Sequence, residues 1–268
     1  MSKNIAYQSD RIAAYYAANR RLWTDFYPSE RLVFERVATE RGALGRLLDV
    51  GCAAGGLGEA LATRFTSVVA YTGIDINHQA INAAHVGTGR LAVPSEFIVG
   101  DICDCSDLAG RTFDLVTALS VADWNVDAQG ILAACWDHVA PGGHLVVSLR
   151  LTTAAGVRDM RRSFQYIWFE PTPVPADAER APYNVFNVAE ATAWLSGQTP
   201  KPDKILIHGY WGKPSQTART PYERLIFSVV ALRKPREQAA GEAAIEIDLP
   251  HDVLTTLSLA SPSARHEP

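Results

Sequence analysis

From residue 47 onward, short apolar runs alternate with stretches of helical character, and this alternation limits the fold more than any other feature. Residues 47–50, 68–76, 96–99, 113–119 and 144–151 read as strands. Residues 59–65, 78–85 and 128–139 read as helices between them. Leu47-Leu48-Asp49-Val50 has the look of a buried strand, and strands alternating with helices build a parallel sheet covered on both faces.

Two further strands are expected at 205–210 and 225–232, giving a seven-stranded, doubly wound, mostly parallel sheet. Residues 4–41 read as helices rich in aromatics: Tyr7, Tyr15, Tyr16, Trp23, Phe26 and Tyr27. Pro28 is read as a stop and Ser29 as the N-cap of the next helix, whose apolar stripe is Leu32, Val33, Phe34 and Val37. Residues 152–187 break the strand–helix rhythm, and an insertion of that length is usually a lid or a binding element. Asn187 is a plausible cap for a helix at 188–196. The organisation expected is an N-terminal helical cap at 1–44, a main domain at 45–234 with its lid at 152–187, and a flexible tail at 235–268 carrying a short helix near 253–259.

Composition narrows the function classes. The chain has 268 residues, 47% hydrophobic and 20% charged, so it can bury a core. Its net charge is −4 and its pI about 6.0, which offers no overall basic field for nucleic acid. No apolar run approaches the ~20 residues of a membrane helix, and the polar start has no signal-peptide pattern. Cys52, Cys103, Cys105 and Cys135 show no paired CxxC or zinc spacing, so no metal is expected. They read as reduced thiols of a cytoplasmic protein.

The chemistry-bearing motif is Asp49-Val50-Gly51-Cys52-Ala53-Ala54-Gly55-Gly56-Leu57-Gly58, a strand, a glycine turn and a helix start. Small residues there let backbone approach a ligand. It lacks the G-x-G-x-x-G of dinucleotide sites, because Ala53 stands at the second glycine, and it lacks the P-loop lysine. Asp49, Asp75 and Asp101 follow one another at equal intervals. An acidic residue closing the second strand can accept hydrogen bonds from a ribose diol.

With Phe113-Asp114-Leu115-Val116 and Pro141-Gly142-Gly143-His144-Leu145 in order behind them, these motifs resemble the class I S-adenosylmethionine-dependent methyltransferases. The resemblance covers 45–151 by motif and 188–233 by topology. It implies S-adenosylmethionine as cofactor, a C-terminal antiparallel hairpin at 205–232, and a lid after the fifth strand. Asp49 and Gly51 would shape the site, and Gly51 and Gly55 would border the methionine part. Asp75 would hold ribose, Ile76 would pack on adenine, and Asp101 with the Ile102 N–H would take the adenine edge. Leu119 would lie beside the sulfonium, or serve simply as core. Ala53 departs from the family's usual glycine but stays small.

The acceptor is expected to be a small molecule, with neither nucleic acid nor membrane as partner; nothing in the sequence fixes the oligomeric state. His208, near the end of the sixth strand, is the leading general base, and Asp123 after the fourth strand the second candidate. Tyr210 and Trp211 can stack on the acceptor. Arg158, Arg161 and Arg162, at helical spacing in the lid, suit an acidic or sugar-like acceptor, or form a solvated face. Methylation of oxygen is preferred over nitrogen on the strength of His208. Methylation of a nitrogen, a non-catalytic cofactor-binding partner subunit, an aminopropyl transferase and a nicotinamide-dependent oxidoreductase are the rivals.

Overall fold

A computed structural model describes residues 10–170, 172–237 and 242–260. Tyr7 and the last residues of the expected tail lie outside the described residues. The helices are α1 (Asp10–Ala18), α2 (Pro28–Arg41), α3 (Gly56–Arg64), α4 (His78–Gly87), α5 (Ala128–Asp137), α6 (Val188–Ser196) and α7 (His251–Ala260). The strands of the parallel core are β1 (Gly45–Val50), β2 (Val68–Asp75), β3 (Ser95–Val99), β4 (Phe113–Ala118) and β5 (Val139–Thr152). Those that follow are β6 (Phe164–Tyr166), β7 (Arg180–Pro182), β8 (Phe186–Asn187), β9 (Lys204–Gly212), β10 (Ala218–Arg219), β11 (Leu225–Arg233) and β12 (Ala244–Asp248).

Among the described residues the main sheet has nine strands, in the order β12-β9-β11-β5-β4-β1-β2-β3, with β8 added beside β5. β1 to β5 are mutually parallel, and β11 runs antiparallel to both β5 and β9. This is the expected doubly wound sheet with its C-terminal hairpin, enlarged by β8 and β12 beyond seven strands. Alternate residues of each strand serve opposite layers. Leu47 packs with Val33, Phe34, Leu61 and Ile81 of α2, α3 and α4, whereas Leu48 packs with Ile131, Trp136 and Leu195 of α5 and α6. Consecutive apolar residues are thereby all used, which is why the strands read as unbroken runs.

Three local expectations change. Helix α2 begins at Pro28, not after Ser29, and Tyr27 is its N-cap. The Tyr27 N–H is satisfied by Glu30 Oε2 at 2.8 Å, and Ser29 is buried. A proline at the first helical position loses nothing, since its missing N–H has no partner there anyway. The stretch holding Arg158, Arg161 and Arg162 is a series of turns, not a helix. The segment expected as a flexible tail contributes β12, paired parallel to β9, before the anticipated short helix α7. Asn187 does cap α6, its Oδ1 accepting from the Ala189 and Glu190 N–H groups at 2.9 and 3.2 Å.

Candidate active site

A cleft lies at the C-terminal ends of β1, β2, β3 and β4, the edge at which ligands bind in open α/β sheets. Its floor is the turn between β1 and α3. The Gly51 and Cys52 N–H groups both donate to the Ile74 carbonyl, at 2.8 and 3.1 Å, folding the turn over the end of β2. Gly51 has φ +70°, and a Cβ there would stand 2.4 Å from Val121 Cγ2. Only glycine meets both demands. Ala53 takes the left-handed region at φ 47°, and its N–H donates to Asp75 Oδ2 at 2.9 Å. A β-carbon at Gly56 would lie 2.4 Å from the Arg20 carbonyl, so that glycine lets the connection after α1 close over the start of α3.

Of the cofactor residues expected from sequence, Asp49, Gly51, Asp75, Ile76, Asp101, Ile102 and Leu119 line this cleft. Gly55 stands just behind the lining as the left-handed N-cap of α3. Asp49 is buried and bridges three strands: it accepts from Tyr71 Oη at 2.8 Å and Thr117 Oγ1 at 2.7 Å. Burial pushes its carboxyl up to about 6, against those two hydrogen bonds. Asp75 accepts from Ala53 and from the Asn77 N–H (2.8 Å), and desolvation raises its carboxyl above the ordinary value. Asp101 Oδ1 accepts from the Cys103 N–H at 3.0 Å. Two carboxylates at the rim, with Ile76 and Ile102 between them, suit a polyhydroxylated ring on one side and an amine-bearing flat base on the other. The donor set therefore fits the adenosine of S-adenosylmethionine. Ile12, Tyr16, Asn19 and Arg20 from α1 and the turn after it close the cleft from above.

A second cleft opens beside the first and shares Tyr16, Arg20, Ser120, Trp124 and Phe169 with it. Its base is the end of β5 and β11, with Ser148, Arg150, Phe227, Ser228 and Val229. Its wall is the segment after β4. Ser120 sits at φ 56° and donates its N–H to Ser148 Oγ at 2.7 Å. The Asn184 N–H donates to the Asp123 carbonyl at 2.9 Å, and Asn184 Nδ2 donates to the Asn125 carbonyl at 2.6 Å. These bonds fix Asp123 in the cleft, 3% exposed. Arg150 Nη1 lies 3.3 Å from Asp123 Oδ2 and donates to the Asp123 carbonyl at 2.9 Å. Asp123 Oδ1 is buried with no hydrogen-bond partner among the described residues. Burial raises the Asp123 carboxyl, and Arg150 opposes that rise. On the opposite wall, Arg20 Nη2 holds both oxygens of buried Glu30, at 2.8 and 2.9 Å. Burial pushes the neighbouring Tyr16 hydroxyl up to about 12.

Other expected residues stand elsewhere. His208 lines neither cleft; its Nδ1 meets Asp248 Oδ2 of β12 at 2.8 Å. Trp211 is on the opposite face of the sheet, where Nε1 donates to Asp252 of α7 at 2.9 Å and the Arg224 guanidinium covers its ring. Tyr210 stacks on Phe227 at 6.3 Å, one layer behind the second cleft. Arg158, Arg161 and Arg162 are exposed and line neither cleft, and Arg161 is held by Asp159 at 2.8 Å. Sequence reasoning expected residues 150–169 and the N-terminal helices around the acceptor but singled out none of Arg20, Glu30, Arg150 and Gln165. The one available signal was charge: Arg150 sits inside the strongest apolar strand, where a cation must be paired.

Known proteins share this arrangement. A methyltransferase domain model matches residues 48–145. The ubiquinone biosynthesis O-methyltransferase of Vibrio atlanticus (strain LGP32) is 29% identical over 103 residues, 38% of this chain and 42% of that protein. That of Salmonella newport (strain SL254) is 28% identical over 147 residues, 52% of this chain and 60% of that protein. The chain thus spans about half the length of the curated relatives it matches. Among solved structures, the N-methyltransferase NodS from Bradyrhizobium japonicum WM9 superposes with a TM-score of 0.51 at 20% identity, covering 85% of this chain and 100% of that one. The 1,6-didemethyltoxoflavin-N1-methyltransferase of Burkholderia thailandensis gives 0.52 at 17% identity, with 84% and 86% covered. At such identities the structural likeness is one of fold. Residues 48–145 thus match a methyltransferase domain, and the motif order and sheet order resemble those of the class I S-adenosylmethionine-dependent methyltransferases.

Among the described residues no helix is long and apolar enough to cross a membrane. No group of three or more His, Cys, Asp or Glu side chains among them is placed to hold a metal ion.

Proposed function

We propose that this chain transfers a methyl group to a hydroxyl oxygen of a small molecule held in the second cleft. The observation that carries this reading is Asp123: a buried carboxylate with one oxygen against Arg150 and the other unpartnered, on the wall of a cleft that runs into the cofactor cleft. In the same proposal, Asp75 and Asp101 hold adenosine, Ile76 and Ile102 flank its base, and Gly51 and Gly55 leave room for the methionine part.

When bound, S-adenosylmethionine supplies an electrophilic methyl group on a sulfonium and leaves as neutral S-adenosylhomocysteine. The chain's own residues align the acceptor and manage its proton. Asp123 Oδ1 accepts the hydroxyl proton as the acceptor oxygen forms its new bond to carbon. A carboxylate raised by burial is a stronger base than a free one, and Arg150 opposes the rise. The Arg150 guanidinium holds the other carboxylate oxygen and the carbonyl of Asp123, and so orients the base. Asp123 replaces His208 as the base in this scheme, and Arg150 replaces the lid arginines as the cation of the acceptor site.

The names of the curated relatives, ubiquinone biosynthesis O-methyltransferases, support oxygen as the target. A cytoplasmic setting, expected from cysteines that show no paired CxxC spacing, belongs to the same proposal. The test is incubation of the protein and radiolabelled S-adenosylmethionine with a small-molecule extract. Label is expected in ethers stable to mild base, and label only in amines or esters would overturn the choice of a hydroxyl.

A further inference from the structure

The second cleft holds two buried acceptors that the protein leaves unfilled, on different walls. One is Asp123 Oδ1. The other is Gln165 Oε1, from the middle of β6 in a separate three-stranded sheet with β7 and β10. Gln165 is 6% exposed, and its amide nitrogen donates to Thr217 Oγ1 at 3.2 Å, which fixes the amide with its oxygen free. Thr217 precedes β10, the strand that pairs with β6, so the lid sheet itself holds the amide in place. Leaving a buried acceptor unmet is destabilising. Two such residues in the lining of one cleft leave acceptors for donors that arrive with a ligand.

The rest of the lining sets the ligand's charge and shape. The two cations present, Arg20 and Arg150, are each matched by a carboxylate, Glu30 and Asp123. Among the described residues of the lining, no cation is left over for an anionic group. Tyr15 stacks on Phe169 at 4.4 Å and 16°, and Phe227 lies across the floor, so the walls are flat and aromatic.

Resting on the methyl-transfer function proposed above, we infer that the acceptor is an uncharged ring compound with at least two hydroxyl groups, one donating to Asp123 and methylated, the other donating to Gln165 and setting the pose. Gln165 is then a positioning and specificity residue, and the acidic acceptor expected from Arg158, Arg161 and Arg162 gives way to a neutral one.

The test is a binding series on one scaffold: resorcinol, its monomethyl ether, its dimethyl ether and the acidic analogue meta-hydroxybenzoate. Dissociation constants are measured by NMR titration, with and without saturating S-adenosylhomocysteine. Resorcinol should bind about tenfold more tightly than its monomethyl ether, as one extra hydrogen bond to a buried acceptor predicts. meta-Hydroxybenzoate should bind more weakly than resorcinol. In Gln165→Leu, or the closer isostere Gln165→Met, the ratio of resorcinol to monomethyl ether should fall toward one while affinity for S-adenosylhomocysteine is unchanged. Tighter binding of the acid, an unaltered ratio in both variants, or binding of none of the four would overturn the inference. Failure of the wild-type protein to bind S-adenosylhomocysteine would count against the methyl-transfer function instead, and the series without that ligand would still judge the cleft.

Discussion

Arg150 and Asp123 form the buried pair of the second cleft: the guanidinium reaches both the carboxylate, at 3.3 Å, and the carbonyl of the same residue, at 2.9 Å. Arg150 is wedged over the Tyr183 ring, 3.7 Å from its centroid, and so cannot turn away from its partner. One carboxylate oxygen is thereby committed, and the other is buried without a hydrogen-bond partner among the described residues, in a residue that lines the cleft.

That arrangement predicts the behaviour of Asp123→Asn. The amide keeps the shape but accepts no proton, so turnover should drop about a hundredfold or more, with affinity for S-adenosylhomocysteine unchanged. In the wild-type protein the rate should fall as pH drops through the Asp123 carboxyl's own value, which burial places above the ordinary carboxylate range. Initial rates across pH check both. Retained turnover in the variant would remove Asp123 as base.

Asp49 makes a separate prediction about stability. Its carboxyl is raised from 3.8 to about 6 in the folded chain, so between those values the folded state holds more protons than the unfolded state. Its contribution is therefore lost as pH rises through that window, by about 3 kcal/mol from the size of the shift. Asp49→Asn should gain stability relative to wild type by about that amount between pH ~4 and pH ~8. Urea denaturation at the two pH values measures it, and a constant difference would mean that folding does not shift the Asp49 carboxyl.

His208 is predicted to be dispensable for chemistry. It pairs with Asp248, whose side chain is 60% exposed, and such a pair contributes less than about 1 kcal/mol. His208→Ala should leave turnover within about twofold of wild type, since loss of a base costs about a hundredfold or more. A loss of that size would restore it as a catalytic residue.

The strand alternation, the glycine turn and the carboxylates at 75 and 101 were legible because each is a local property of a strand and its end. Asp123 was legible as a residue that follows β4, but its pairing with Arg150 was not, because the partner comes from β5. Tyr210 and Trp211 were grouped by adjacency, yet neighbours in a strand face opposite layers, and which layer carries the cleft depends on helices distant in sequence. The lid arginines matched helical spacing in a segment that folds as turns and short strands, held by Val157–Val185 pairing and the β6–β7 ladder. β12 was hidden because its strand exists only through register with β9, a non-local match.

The central claim is that the cleft over the β1–α3 turn holds S-adenosylmethionine through Asp75. Isothermal titration of S-adenosylhomocysteine into wild type and Asp75→Ala tests it most directly. Micromolar binding by the wild type, weakened about a hundredfold or more in the variant, is the predicted result, since the carboxylate's loss also releases the Ala53 and Asn77 N–H groups that shape the turn. Equal affinity in the two proteins, or no binding by the wild type, would contradict it.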